Sequence, residues 1–191
     1  MSASMQLYFA YGSNLWLEQM AARCPNSTFI GTAILPDYRW QINERGVANV
    51  VRAAGYSVHG LVFELGPGDE TNLDLFEGVG TDAYSKTYHS VILRPSWSLR
   101  KPPSLLRMTD GAHPWVASHT QKDNEAARAW DSSLIHHVLV YASDTYIISD
   151  APRDEYVRRM NLAIEDAAAL GVPTEYIDNA IRCFIPSPPP K

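Results

Sequence analysis

Several things are scarce in this chain, and each scarcity excludes something. Its 191 residues include two cysteines, Cys24 and Cys183. Two, this far apart, cannot build a disulfide framework, and no C-x-x-C pair suggests zinc. They read as buried or half-buried free thiols of a cytoplasmic, reducing setting. A basic excess is also missing: 16 Lys and Arg stand against 21 Asp and Glu, for a net charge of -5. That argues against nucleic acid as a partner, because phosphate-binding surfaces carry a surplus of cations, although a local basic pocket stays compatible with it. No apolar run reaches the roughly 18 residues that span a bilayer, and no basic segment leads into an apolar one at the N-terminus. Neither a membrane nor secretion is expected. The nucleophile-elbow pattern G-x-S-x-G, the zinc pattern H-E-x-x-H and a convincing Cys–His pair are all absent. Of six histidines, the adjacent His136 and His137 lie in "LIHHVLVY", where strand alternation sends them to opposite faces and so away from one shared metal.

What is present is an ordinary globular composition, 46% apolar and 19% charged, enough for a single domain over 1–191 with a real core. A first strand is expected at about 6–11 and a helix at about 14–23, capped by Ser13 or Asn14 and ended by Cys24-Pro25-Asn26. Four strands follow, "TFIGTAILPDY", "YRWQINER", "VANVVRAA" and "SVHGLVFEL", with Gly55 and Gly60 as turns or bulges. "PGDETNLDLFEGV" reads as a short helix that Gly78 ends, and "YSKTYHSVILRP" and "LIHHVLVYAS" as two further strands. Between these two lies an irregular insertion at about 95–131, rich in proline and holding Trp97, Trp115 and Trp130, with a helical turn or two in "NEAARAWDSS". It is either a solvated excursion or a lid over a binding site. Tyr156, Met160, Ala163, Ala167 and Leu170 recur at three- and four-residue steps, an apolar helical stripe that Gly171 and Pro173 stop. A second helix starts at Pro173 or Thr174, and 186–191 form a flexible tail. Strands followed by helices, with several antiparallel pairs, make this an α+β domain and not a Rossmann alternation.

The stretch "LYFAYGSNLW", residues 7–16, carries the chemistry. An apolar strand breaks at Gly12-Ser13-Asn14 and a helix-like run follows at once. Such a turn presents backbone N–H donors, Gly12 admits a close ligand, and Ser13 and Asn14 add side-chain donors and acceptors. It is too short for a phosphate loop, lacks Lys and lacks G-x-G-x-x-G spacing. Two readings stay open on these residues: an ordinary capped turn, or a seat for one small carboxylate.

"YFAYGSNL" resembles the signature of the γ-glutamylcyclotransferase family. In the same order, "ANVVRAAGYSVHGLVFEL" is similar to that family's central hairpin and "LDLFEGVGTDAY" to its catalytic segment. "VLVYAS", "PRDEYVRRM" and "ALGVPTEYID" resemble its C-terminal strand and helices. The resemblance spans about residues 7–181. It implies a mixed, partly closed small β-barrel flanked by helices. It also implies that Tyr11, Gly12, Ser13, Asn14 and Leu15 cradle a γ-glutamyl group, that Glu77 is the general acid/base, and that Tyr84, Tyr141 and Tyr156 line the pocket. The insertion departs from the family's pattern, where these strands are joined by far fewer residues.

The activity so implied is release of 5-oxoproline from a γ-glutamyl compound. The substrate's α-amine attacks its own γ-carbonyl and expels the attached amine, with no enzyme nucleophile, metal or cofactor required. A free Glu, with its pKa near 4.3, is a weak base at neutral pH; dry surroundings made of Leu73, Leu75, Phe76 and Val79 would raise it. The small-molecule substrate is a γ-glutamyl dipeptide, glutathione or a larger γ-glutamyl or glutathione-derived conjugate. A related group acting on γ-glutamylamines carries a Y-G-T-L-type loop, so the Ser13-Asn14 pair favours the first group. A non-catalytic γ-glutamyl-binding protein is the alternative. Oligomeric state is not legible.

Overall fold

The computed structural model describes residues 5–106, 114–126 and 132–188. Strand β1 (Leu7–Ala10) pairs antiparallel with β3 (Ala48–Glu64) and parallel with β5 (Ser133–Ala142). Strand β2 (Thr28–Ile42) lies between β3 and β4 (Ser85–Pro95), and β4 pairs antiparallel with β5. The order β1-β3-β2-β4-β5 closes into a barrel, a fuller closure than the partly closed one expected. Phe9, Phe29 and Phe63 are wholly buried. The rings of Phe29 and Phe63 meet edge to face at 5.8 Å, a favoured aromatic geometry.

The four strands expected over 28–64 are two long ones. At the expected break, Asp37 adopts positive φ, and the β2–β3 register jumps from Pro36 opposite Ser57 to Tyr38 opposite Arg52. Gly55, at φ +80°, turns this bulge, and its N–H donates to Asp37 Oδ1 at 3.0 Å. Gly60 makes neither a turn nor a bulge. It stays in register opposite Ala33, and a Cβ there would collide with the Ala10 carbonyl oxygen at 2.2 Å. Glycine at 60 is what lets β1 approach β3.

Helix α1 (Leu17–Arg23) starts later than expected, after a 3₁₀ turn over Ser13–Leu15 and an extended Trp16. Neither Ser13 nor Asn14 caps it. Asp166 accepts the Leu17 N–H at 2.8 Å instead. Helix α2 (Asp69–Phe76) precedes Glu77, and α5 (Asp154–Ala169) buries Tyr156, Met160, Ala163 and Ala167 as the stripe predicts. The chain leaves α5 through Gly171 at φ +99°. The second C-terminal helix is a short turn, Thr174–Tyr176, that widens into a π-helical turn at Ile177–Ile181.

The insertion is more ordered than expected among its described residues. It forms α3 (Pro103–Leu106) and α4 (Pro114–Ala126), so its main helix begins ahead of the "NEAARAWDSS" stretch and takes in only its first three residues, 124–126; 127–131 lie outside the described residues. Leu99, Leu106 and Val116 are buried. The Phe29 N–H donates to the Lys101 carbonyl at 2.9 Å, and Thr120 Oγ1 donates to the Ala169 carbonyl at 2.7 Å. Trp97 is exposed; the Trp115 side chain and Trp130 lie outside the described residues. Residues 186–188 are exposed, and 189–191 also lie outside. Cys24 is buried, while Cys183 is exposed and not half-buried; both are free thiols. His136 and His137 do not alternate simply: His137 has positive φ at a register shift, stacks on Tyr88, and leaves His136 to bond Ser90. No helix among the described residues is long and apolar enough to cross a membrane.

Candidate active site

A cavity of about 280 Å³ gathers side chains from β1, β3, β5, α1, α5 and the segment after α2. Its floor is the Gly12-Ser13-Asn14 loop. A Cβ on Gly12 would stand 3.0 Å from the Tyr156 hydroxyl and 3.3 Å from Ala48 Cβ, so the loop presses against α5 there. Ser13 and Asn14 are buried. The orientation of the Asn14 amide is fixed from behind. Its Oδ1 accepts from Gln19 Nε2 at 2.8 Å and from Arg23 Nη1 at 2.9 Å. Its Nδ2 therefore faces the other way, donating to the Tyr8 hydroxyl at 2.8 Å and to Glu77 Oε1 at 2.9 Å.

Glu77 immediately follows α2, and Gly78, left-handed at φ +68°, turns the chain away after it. The expected source of its dryness holds only in part. Leu73 is wholly buried and Val79 packs against the core, but Leu75 and Phe76 are 76% and 58% exposed, although Phe76 also lines the cavity. The cavity residues around Glu77 leave its side chain 15% exposed. That burial pushes its carboxyl above the ordinary range. The ion pair with Arg23 at 3.3 Å, the Asn14 amide, and more weakly Arg159 and Arg45, pull it part of the way back. Among the described residues lining the cavity, Glu77 is the one carboxylate.

Five tyrosines border the cavity, and their hydroxyls divide into two kinds. Tyr11 donates to the Tyr141 carbonyl at 2.6 Å, Tyr84 to the Ala48 carbonyl, and Tyr141 to Asp74 Oδ1 at 2.7 Å. These three protons are engaged by the protein. Tyr8 accepts from Asn14, and the Tyr156 hydroxyl meets the backbone N–H groups of Ser13 and Ala48. An accepting hydroxyl keeps its proton to donate. Burial raises all five above the ordinary tyrosine range, Tyr156 to about 12, so at neutral pH they are donors and not bases.

The structure thus brings Glu77, Tyr11, Gly12, Ser13, Asn14, Tyr84, Tyr141 and Tyr156 to one cavity. Leu15 is the exception: it is wholly buried in the core and does not line the cavity. No described residue of the 95–131 insertion lines it either; that segment packs on α1 and α5. Sequence reasoning missed Tyr8 and four arginines, 23, 45, 153 and 159. Two had a readable signal. Arg159 lies three residues beyond Tyr156 and so shares its helical face, and Arg23 lies four beyond Gln19. Arg159 Nη1 reaches Ser13 Oγ at 3.3 Å and Gln19 Oε1 at 3.2 Å, while Glu155 holds the other side of the guanidinium at 2.8 and 2.9 Å.

The family model described as Gamma-glutamyl cyclotransferase, AIG2-like, matches residues 8–127. A Mus musculus Gamma-glutamylcyclotransferase is 34% identical over 88 residues, which cover 41% of this chain and 47% of the relative. The chain therefore spans about half the length of the curated relatives it matches. A solved structure named Gamma-glutamyl cyclotransferase superposes with a TM-score of 0.67 at 20% identity, covering 98% of this chain and 92% of that one. An uncharacterized Homo sapiens protein superposes with a TM-score of 0.65 at 20% identity, over 99% and 92% of the two chains. At such identities the structural likeness is one of fold.

Proposed function

The chain belongs to the Gamma-glutamyl cyclotransferase, AIG2-like family, and on that premise we propose that it converts a γ-glutamyl compound to 5-oxoproline and a free amine. The single observation that carries this reading is Glu77: a largely buried carboxylate lining the cavity and bonded, at 2.9 Å, to the Asn14 amide of the Gly-Ser-Asn loop.

The reaction needs three things from the protein. The γ-glutamyl chain must fold so that its α-amine meets its γ-carbonyl; preorganising the two groups is worth several kcal/mol, up to about 7–11 in the best cases. Ser13 on the loop, with Arg159 at 3.3 Å from its Oγ, suits the α-carboxylate. Next, the α-ammonium must lose one proton to solvent, since an ammonium has no lone pair. Glu77 takes a second proton from the same nitrogen as the new C–N bond forms, then gives it to the departing nitrogen as the old C–N bond breaks. Its raised pKa makes it a stronger base than an exposed Glu. Finally, negative charge grows on the carbonyl oxygen in the tetrahedral intermediate. Tyr8 and Tyr156, the two hydroxyls that accept from the protein and keep their own protons, are the donors suited to it.

The test is mass-spectrometric detection of 5-oxoproline across a panel of γ-glutamyl dipeptides, glutathione and γ-glutamyl conjugates. Turnover of at least one is expected. Glu77→Gln, close in shape but unable to take a proton, should lower kcat by about 10²–10⁴-fold while binding persists. A variant within threefold of wild type would overturn the role of Glu77. A folded protein that binds panel members but turns none over is a γ-glutamyl-binding protein instead.

A further inference from the structure

Gln19 lies behind the Gly-Ser-Asn loop and does not line the cavity, yet both polar ends of its amide are held by residues that do. It is the third residue of α1 and half-buried. Its Nε2 donates one hydrogen to Ser13 Oγ at 2.9 Å and the other to Asn14 Oδ1 at 2.8 Å. Its Oε1 accepts from Arg159 Nη1 at 3.2 Å.

Chemistry fixes the direction of these bonds. A guanidinium has donors only. Arg159 can therefore meet Gln19 only at its oxygen, which turns Nε2 toward the loop. At the other end, Arg23 Nη1 donates to Asn14 Oδ1 at 2.9 Å, so the atom that Nε2 meets there is an acceptor. An inverted Gln19 amide would set N–H against Arg159 and oxygen against oxygen at Asn14. The two loop residues depend on Gln19 to different degrees. Asn14 is oriented twice over, by Gln19 and by Arg23. Ser13 carries a hydroxyl, which rotates to suit its surroundings until both of its lone pairs are filled. Gln19 fills one at 2.9 Å and Arg159 the other at 3.3 Å. Among the described residues none accepts the Ser13 proton, and Ser13 lines the cavity. That proton is available to a ligand there.

We propose that Gln19 is a positioning residue: by filling a lone pair of Ser13 Oγ, it aims the Ser13 hydroxyl proton at the carboxylate of the ligand. The cyclotransferase reading supplies the identity of that carboxylate, the α-carboxylate of the γ-glutamyl group, and Gln19 is what makes the loop serine a donor to it. The contact is made in the substrate complex and the transition state alike, so weakening it raises KM and leaves kcat nearly unchanged. A distorted loop or α1 would instead disturb Glu77 through Asn14 and lower kcat as well.

The probe is 5-oxoproline, titrated calorimetrically at neutral pH beside 5-oxoprolinamide, which lacks the carboxylate. Binding needs no turnover, so this measurement stands apart from the cyclotransferase reading. Wild type should bind the acid at least about tenfold more tightly, the scale of one charge-assisted hydrogen bond. Gln19→Glu keeps the side-chain length and the acceptor for Arg159, but it offers Ser13 an acceptor in place of a donor. The hydroxyl proton then turns away, and Kd for 5-oxoproline should rise at least about tenfold. The added charge also repels the ligand, and a Ser13→Ala background separates the two effects. Repulsion costs the same with or without the hydroxyl, whereas misdirection needs it, so the penalty should be at least about threefold smaller in Ser13→Ala. Equal penalties in the two backgrounds, or a wild type that does not prefer the acid, overturn the proposal. Gln19→Met, uncharged and of similar length, decides the matter if Gln19→Glu folds poorly. In 5-oxoproline release from the panel compound turned over fastest, it should raise KM several-fold with kcat within about twofold. An unchanged KM, or a kcat that falls as far as KM rises, overturns the role. If no panel compound is turned over, the cyclotransferase reading fails, and Gln19 is judged by calorimetry alone, where Gln19→Met should raise Kd for 5-oxoproline several-fold and an unchanged Kd overturns it.

Discussion

Replacing Arg23 by Gln isolates the electrostatics of Glu77. Arg23 Nη1 lies 3.3 Å from Glu77 Oε1, and the two side chains are 16% and 15% exposed. Coulomb attraction at that distance is about 5 kcal/mol at an effective dielectric of about 20, and about 1.3 kcal/mol in bulk water. Both partners border a cavity that water can enter, so a value between these, about 2 kcal/mol, is appropriate, equivalent to about 1.5 pKa units. The sign follows from which form Arg23 favours. It stabilises the carboxylate and opposes the upward push of burial, so its removal raises the pKa of Glu77 further. A general base works only when deprotonated. The acid limb of the kcat/KM profile should therefore move to higher pH by about 1.5 units, and at a fixed pH on that limb the rate should fall about 30-fold. The assay is 5-oxoproline release across the pH range. Arg23→Lys, which keeps a charge but not the fork, should shift the limb less. The loss of the guanidinium from the Phe76 face, 4.7 Å from its centroid, affects packing and would not move the limb. A limb that stays in place in Arg23→Gln, or moves to lower pH, refutes Glu77 as the titrating base.

The tyrosines and the insertion give two more tests. Tyr8→Phe and Tyr156→Phe should each lower kcat by about 10–100-fold, below the 10²–10³ typical of a backbone oxyanion donor because each leaves the other hydroxyl in place. Tyr84→Phe, whose proton is already given to Ala48, should chiefly cost stability; equal kcat losses in all three would show that hydroxyl direction is irrelevant. Leu99→Ala, in the insertion and wholly buried, should destabilise the fold by about 2–5 kcal/mol in chemical denaturation with KM unmoved. A changed KM with intact stability would restore the lid reading.

How much of this was legible in the sequence depended on distance along the chain. The α5 stripe and the Glu77 segment were readable because the relevant periodicity or motif lies within a few residues. Strand continuity was not. A bulge at Asp37 and Gly55 looks, in sequence, like the end of one strand and the start of another, and only the register shows that pairing resumes beyond it. Gly60 misled for a related reason: a glycine that permits close approach is indistinguishable in sequence from one that makes a turn, until the Ala10 carbonyl beside it is seen. Helix capping failed similarly. Ser13 and Asn14 are good cap residues by type, but the cap of α1 comes from Asp166, 149 residues from Leu17.

That displacement bears on the chemistry. A capping side chain turns back to its own helix and spends its acceptor there. Because Asp166 satisfies the Leu17 N–H, the side chains of Ser13 and Asn14 are released from that duty. Asn14 instead takes two donors on its oxygen, from Gln19 and Arg23, and points its two N–H groups at Tyr8 and Glu77. Helix α5 thus supplies the cap that frees the loop, the Tyr156 hydroxyl that packs on it, and the Arg159 guanidinium that reaches Ser13. The dryness of Glu77 has the same origin. Its sequence neighbour Leu75 faces solvent, and the residues that share the cavity with it include ones brought there by the barrel and by α1. The Gly-Ser-Asn loop and the glutamate are both short local features, but what makes them one site is the closure of the barrel and the packing of α5 across the loop.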